Sequence, residues 1–98
     1  LWLAPEQYAL LPISEQYVEH CHELKAKLSA QDISGYIDDR NETIGKKIRD
    51  AEVKKVPIML IVGEKEVENG TVAVRIQGEG DKGSMTMDEF VRYFNSLS

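Results

Sequence analysis

The chain has 98 residues, of which 42% are hydrophobic and 30% charged, and a formal net charge of −5. Such a composition describes one folded domain with one core, of radius about 13 Å, and excludes disordered and membrane chains. The longest apolar run, residues 58–62, falls far short of the about 20 residues that a membrane-spanning helix needs. Residues 1–4 lack the basic flank and long apolar stretch of a signal peptide. There is no initiator Met, so the sequence looks excised from something longer. The single cysteine, Cys21, excludes an internal disulfide and fits a reducing, cytoplasmic compartment.

In chain order, residues 8–13 read as a first strand, ended or held at a sheet edge by Pro12, which has no N–H to donate. Ser14 is placed to cap a helix in which Tyr17, Cys21, Leu24 and Leu28 form one apolar stripe. A short second strand follows at residues 35–37. From Ile44, the residues Ile48 and Ala51 repeat helical spacing, which puts the basic residues of this second helix on its solvent side. Pro57 and the apolar run after it have the character of a fully buried strand, ended by Gly63. Asn69-Gly70, flanked by Val67 and residues 72–74, is a short-range hairpin signal, because both positions tolerate positive φ.

Residues 77–84 hold four Gly or Ser in eight and read as a mobile loop. Thr86-Met-Asp-Glu89 has the form of a capping box. It opens a final amphipathic helix carrying Met87, Phe90, Val91, Phe94 and Leu97. The order β, α, β, α, β, hairpin, α predicts a single α/β domain over residues 1–98. Its mixed five-stranded sheet is parallel in the first half and flanked by three helices.

Nucleophilic and metal chemistry find little support. His20 and His22 are two positions apart on a helix and point to nearly opposite sides. Cys21 lies on the apolar stripe and reads as core. His20 and Glu23 share a helix face, but two ligands do not make a metal site. Asp38 and Asp39 are adjacent and cannot share a proton as a catalytic dyad does. Gly78-Glu-Gly-Asp-Lys-Gly83 spells G-x-G-x-x-G, yet Glu79 and Asp81 would repel a pyrophosphate. Only 15 residues follow it, too few for a dinucleotide-binding unit of about 30.

Charge is unevenly placed. Residues 40–55 contain six basic and three acidic side chains, a local +3 against −8 for the remainder. A local basic patch, not the global sum, decides where a phosphate backbone can sit. The stretch Arg40-Asn-Glu-Thr-Ile-Gly-Lys-Lys-Ile-Arg49 puts planar polar groups at a strand-to-helix junction, where helix N–H donors are near. Groups of that kind read unstacked RNA bases on their Watson–Crick edges. Glu66 and Arg75 fall on the two arms of the expected hairpin. A carboxylate there can accept from guanine N1–H and N2–H, and a guanidinium can donate to a base carbonyl or a phosphate. The plainer alternative is that these two pair across the hairpin for a few tenths of a kcal/mol.

Several motifs occur in the order of one family: Trp2-Leu-Ala-Pro5-x-Gln7, Leu11-Pro-Ile-Ser14, Asp39-Arg-Asn-Glu42, Ile44-Gly-Lys-Lys-Ile-Arg49, Val56-Pro57, Gly63-Glu-Lys-Glu66 and Val72-Ala-Val-Arg75. Together they resemble the C-terminal anticodon-binding domain of threonyl-tRNA synthetase, a class II aminoacyl-tRNA synthetase, over nearly the whole chain. The resemblance implies a non-catalytic module that recognises the anticodon stem-loop of tRNA(Thr), whose second and third anticodon bases are G and U. By position it implies anticodon contacts from Asn41, Arg49, Glu66 and Arg75, with Glu66 on the guanine edge. Arg40, Lys46 and Lys47 would serve the RNA backbone. Threonine, ATP and zinc would belong to the rest of a dimeric ligase, the fragment itself being monomeric and without cofactor.

Two positions depart from the family's pattern. Thr43 stands where Lys is common, and Ile76-Gln-Gly-Glu79 replaces a stretch that is often more basic. The prolyl, glycyl and histidyl enzymes share this domain type, although the Ile44 to Arg49 motif with Gly63-Glu-Lys-Glu66 favours threonine. A protein-interaction domain that kept the fold and lost RNA binding is the alternative from another class; the acidic remainder and Thr43 speak for it.

Overall fold

Strand β1, Tyr8–Pro12, is the middle parallel strand of a five-stranded mixed sheet ordered β2-β1-β3-β4-β5. The computed structural model describes residues 6–96, so the Trp2-Leu-Ala-Pro5 motif and Leu97 lie outside the described residues. β2 (Gly35–Ile37) and β3 (Ile58–Val62) pair in parallel with β1 on either side. β4 (Thr71–Ile76) and β5 (Gly80–Thr86) extend the sheet antiparallel beyond β3. Pro12 therefore ends a central strand and does not mark an edge one.

The helices are α1 (Val18–Ser29), α2 (Ile44–Val53), α3 (Glu64–Asn69) and α4 (Met87–Ser96), with a turn of 3₁₀ helix at Glu15–Tyr17. α1 and α4 cover one sheet face, where Cys21, Leu24, Leu28, Phe90 and Phe94 close over the alternate residues of β1, β3 and β4. α2 covers the other, where Ala51 and half-buried Ile44 and Ile48 meet Ala9, Leu11 and Met59. None of the helices in the described residues is long and apolar enough to cross a membrane. The Thr86–Glu89 capping box is present: Thr86 N–H donates to Glu89 Oε1 at 2.9 Å and Glu89 N–H to Thr86 Oγ1 at 3.2 Å. Ser14 does not cap through its side chain; its carbonyl accepts from Tyr17 N–H at 3.1 Å and starts the 3₁₀ turn.

The hairpin expected at Asn69-Gly70 is not there. Residues 64–69 form α3, a fourth helix, and Gly70 is its left-handed C-cap at φ 68°, donating its N–H to the Glu66 carbonyl. Positive φ was the correct inference, but the same Asn-Gly pair serves a helix C-terminus as readily as a type I′ turn. Glu64 and Glu66 settle the matter, since acids are favoured in a helical first turn and are poor strand formers. The hairpin instead joins β4 to β5, with Gly78 and Gly80 at φ 84° and 86° and Glu79 N–H donating to the Ile76 carbonyl. The stretch expected to be a mobile loop is thus a turn and an edge strand. An edge strand tolerates so much glycine because it pairs on one side only, and a bulge opposite Val74 and Arg75 twists it further.

Space is open around a Cβ placed at Gly70, so a side chain there meets backbone strain alone. Gly70→Val should lower stability by about 1–2 kcal/mol, seen in thermal melting as a drop of several degrees. An unchanged melting temperature would rule out the left-handed cap.

Candidate nucleic-acid interface

The β2-to-α2 junction is held by a chain of polar contacts. Asp38 follows β2 immediately, is 7% exposed, and donates its backbone N–H to the Leu10 carbonyl of β1 at 2.9 Å. Its carboxylate takes the Arg40 fork, from Nε at 2.8 Å and from Nη2 at 2.7 Å. The same Nη2 reaches Asp50 of α2 at 2.7 Å. Thr43 then caps α2, its hydroxyl accepting from Lys46 N–H at 3.3 Å. The departure from the family's common Lys thus places an N-cap here. Between Arg40 and Thr43, Asn41 is exposed, and its side chain makes no hydrogen bond among the described residues.

Asn41 lines a cavity of about 260 Å³ together with Arg40, Asp39, Ser14, Ile13 and Lys47. Lys47 corrects the expectation that the basic residues of this helix face solvent: it is 2% exposed, and its Nζ donates to the Pro12 carbonyl at 2.9 Å. The helical period explains this, because residue 47 lies three after Ile44 and four before Ala51, both turned to the sheet. Its stem packs as an apolar chain while the ammonium finds a carbonyl at the end of β1. It is not placed as a free surface cation. Arg40 too, although about half exposed, is already paired with two carboxylates. Lys46 is exposed and lies 3.6 Å from Glu42.

Glu66 lies in the first turn of α3, half-buried, with Oε1 accepting from Gly63 N–H at 2.8 Å. A Cβ at Gly63 would sit 2.7 Å from Ile13 Cδ1 and 3.1 Å from Glu66 Oε1, so a larger residue there would displace the Ile13 tip. Ile13 thus touches Gly63 on one side and the Asn41 cavity on the other. Asn41, Ile13 and Glu66 follow the carboxyl ends of β2, β1 and β3, the edge where open α/β sheets bind ligands.

Arg75 stands farther back. It is opposite Met59 of β3 and Asp81 of β5, three residues short of the end of β3, or about 10 Å at the rise of a strand. It is on the α2 face of the sheet, as its half-buried neighbour Ala73 is. With Glu66 on a helix, the cross-hairpin pair does not form, and Arg75 makes no ion pair among the described residues. Gln77 donates to the Glu52 carbonyl at 2.9 Å, which brings one flank of α2 over the end of β4. Arg49, exposed and one turn before Glu52, lies on that flank. Four expected site residues therefore divide into two pairs. Asn41 and Glu66 stand at the strand ends, while Arg49 and Arg75 border the part of the sheet face beyond α2.

Sequence reasoning missed Ile13, Gly63, Asp38 and Asp50 as parts of this arrangement. Ile13 and Gly63 stood in the Leu11-Pro-Ile-Ser14 and Gly63-Glu-Lys-Glu66 motifs, but no local period joins them to one another. The remaining candidates stay structural. Cys21 is fully buried, and burial pushes its thiol up to about 12, with nearby Lys47 pulling the other way. His20 Nδ1 is 3.8 Å from Glu23, and among the described residues no group of His, Cys, Asp and Glu could hold a metal ion.

The sequence profile described as "Anticodon binding domain" matches residues 7–97. The chain belongs to that family. It is 61% identical over 90 residues to a threonine–tRNA ligase of Phocaeicola vulgatus, covering 92% of this chain and 14% of the relative. With a threonine–tRNA ligase of Bacteroides thetaiotaomicron it shares 57% over 95 residues, covering 97% and 15%. The chain thus spans about one seventh of the length of these relatives. Among solved structures, the RNA binding domain of threonyl-tRNA synthetase from Cryptosporidium parvum Iowa II superposes with a TM-score of 0.92 at 29% identity, covering 99% of this chain and 24% of that one. The expected fold class and family resemblance are both met, with one helix more than expected.

Arg40 holds the Asp38 carboxyl below its ordinary 3.8, chiefly by hydrogen bonding and against the opposing effect of burial. A depressed carboxyl pKa contributes stability that is complete above about 3.8 and is lost as pH falls through the lower folded-state value. The stability difference between wild type and Asp38→Asn should therefore be greatest near neutrality and shrink below about pH 4. Urea unfolding across that range measures it, and a difference independent of pH would remove the charge pairing.

Proposed function

We propose that this anticodon-binding domain reads the anticodon loop of a threonine tRNA on behalf of a longer threonine–tRNA ligase. The observation that carries the reading is the placement of Asn41 and Glu66, two planar polar side chains, at the carboxyl ends of β2 and β3 on either side of β1. Membership of the family and the threonine–tRNA ligase relatives support a threonine tRNA as the partner.

Glu66 takes the guanine. A carboxylate has about four lone-pair sites, and one of them is filled by Gly63 N–H, so Oε2 and the rest of Oε1 remain for the N1–H and N2–H donors. Because the Gly63 contact already limits its rotamers, less side-chain entropy is lost on binding. Asn41 and Arg49 serve the neighbouring base or its phosphate, Arg75 a base carbonyl or phosphate, and exposed Lys46 the backbone. In the parent ligase, a cytoplasmic dimer, threonine activation by ATP and any zinc lie elsewhere in the chain. This domain contributes by holding the cognate tRNA so that its acceptor end reaches the distant active site.

A threonine anticodon stem-loop should bind the chain more tightly than the same loop with its second anticodon base changed from G to A. Glu66→Ala should cost about 1–3 kcal/mol on the G loop and erase the preference. A loss equal for both loops would withdraw Glu66 from base readout. Lys46→Ala should weaken both loops alike and flatten the log–log salt dependence by about 0.7; an unaltered slope would take Lys46 off the phosphate backbone. No measurable binding of either loop would instead favour a domain that kept the fold and lost RNA binding.

A further inference from the structure

We infer that Arg40 is a positioning residue: clamped between Asp38 and Asp50, it fixes the turn that presents Asn41 to the cavity and is not itself a phosphate contact. The inference rests on the anticodon reading above and deepens it.

Three observations carry it. First, three of the five guanidinium N–H donors are engaged, all of them on carboxylates. Nε and Nη2 engage the two oxygens of Asp38, and Nη2 also reaches Asp50 at 2.7 Å. The cluster of one guanidinium and two carboxylates sums to −1, so it repels a phosphate where an unpaired arginine would attract one. Second, the clamp spans the parts that must be aligned. Asp38 is tied by its N–H to β1 and buried at 7% exposure, whereas Asp50 belongs to α2. Third, the backbone of Arg40 continues into the turn, its carbonyl accepting from Glu42 N–H at 2.9 Å, which leaves Asn41 at the bend between them. Asn41 makes no side-chain hydrogen bond of its own among the described residues, so its orientation depends on this backbone.

The replacement that separates the roles is Arg40→Lys, which keeps the charge and loses the fork. Asp50→Asn, which weakens only the outer arm, is the second variant should the first melt early. Each is titrated with the threonine anticodon stem-loop in two backgrounds, with and without Asn41→Ala, at several salt concentrations. Hydrogen exchange of the Glu42 amide is followed without RNA. The expected result is about tenfold weaker binding in the Asn41 background, the scale of one misplaced polar contact. The salt slope should not change, little further loss should appear once Asn41 is gone, and the Glu42 amide should exchange faster.

Losses that add to that of Asn41→Ala, or a slope flatter by about 0.7 when Arg40→Gln removes the charge, would show Arg40 on the RNA itself and overturn the inference. So would unchanged exchange together with unchanged affinity. If the wild-type chain binds neither loop, the anticodon reading fails, and with it the recognition role; the exchange data then decide separately whether the clamp exists.

Discussion

All five residues of β1 are buried, and the strand is hydrogen-bonded on both sides, to β2 and to β3. From that arrangement most of the architecture follows. The chain leaves β1, crosses through α1 to β2 on one side, then returns through α2 to β3 on the other. Each parallel crossover is right-handed by strong preference, so reversing the direction of travel puts α1 and α2 on opposite faces. Strand order therefore reverses at β1, and the segments after β1, β2 and β3 diverge around a crevice at their carboxyl ends. Ile13, Asn41 and Glu66 come from those three segments. The central strand must be apolar on both faces for this to work, and Tyr8-Ala-Leu-Leu-Pro12 is.

The basic stretch looks different once its partners are known. Of its six cations, Arg40 is paired with two carboxylates, Lys47 is buried on a carbonyl, Lys46 lies near Glu42, and Lys54 sits 4.9 Å from the Tyr36 ring centroid. Only Arg49 and Lys55 are left without such a partner among the described residues. In a chain of net charge −5, that is a weak electrostatic attractor for RNA. On the anticodon reading, contacts to the bases then carry much of the discrimination.

Elements with one consistent message were legible from residues alone. β3 is an unbroken apolar run, and the Thr86–Glu89 capping box opens α4 as its spacing implies. Misreadings came where one local signal fits two structures. Asn69-Gly70 satisfies a hairpin or a helix C-cap, and the acids before it had to arbitrate. A Gly-rich run is a loop or an edge strand, depending on whether a neighbour such as β4 is waiting to pair. The candidate site residues were named through the family resemblance, but their arrangement was not legible. Lys47 with Pro12, Arg40 with Asp50, and Ile13 with Gly63 are contacts at separations that no local period reports.

The two strand-end residues proposed to read bases share a further property: both are placed by helix beginnings. Asn41 precedes the Thr43 cap of α2, and Glu66 is itself the side chain that closes the start of α3. A cap contributes about 0.5–2 kcal/mol, well below what the buried faces of β1 and β3 contribute together. The crevice can therefore loosen at its rim while the sheet stays intact, because local opening costs far less than global unfolding. α3, with no buried residue, is the weaker of the two supports. The Ile13 N–H, donating to the Val62 carbonyl at 2.9 Å, ties the end of β1 to the residue just before the Gly63 start of α3. On the anticodon reading, base discrimination then depends on a few contacts at the rim, each small beside the core, and a substitution that leaves the caps intact can change specificity while lowering the melting temperature little.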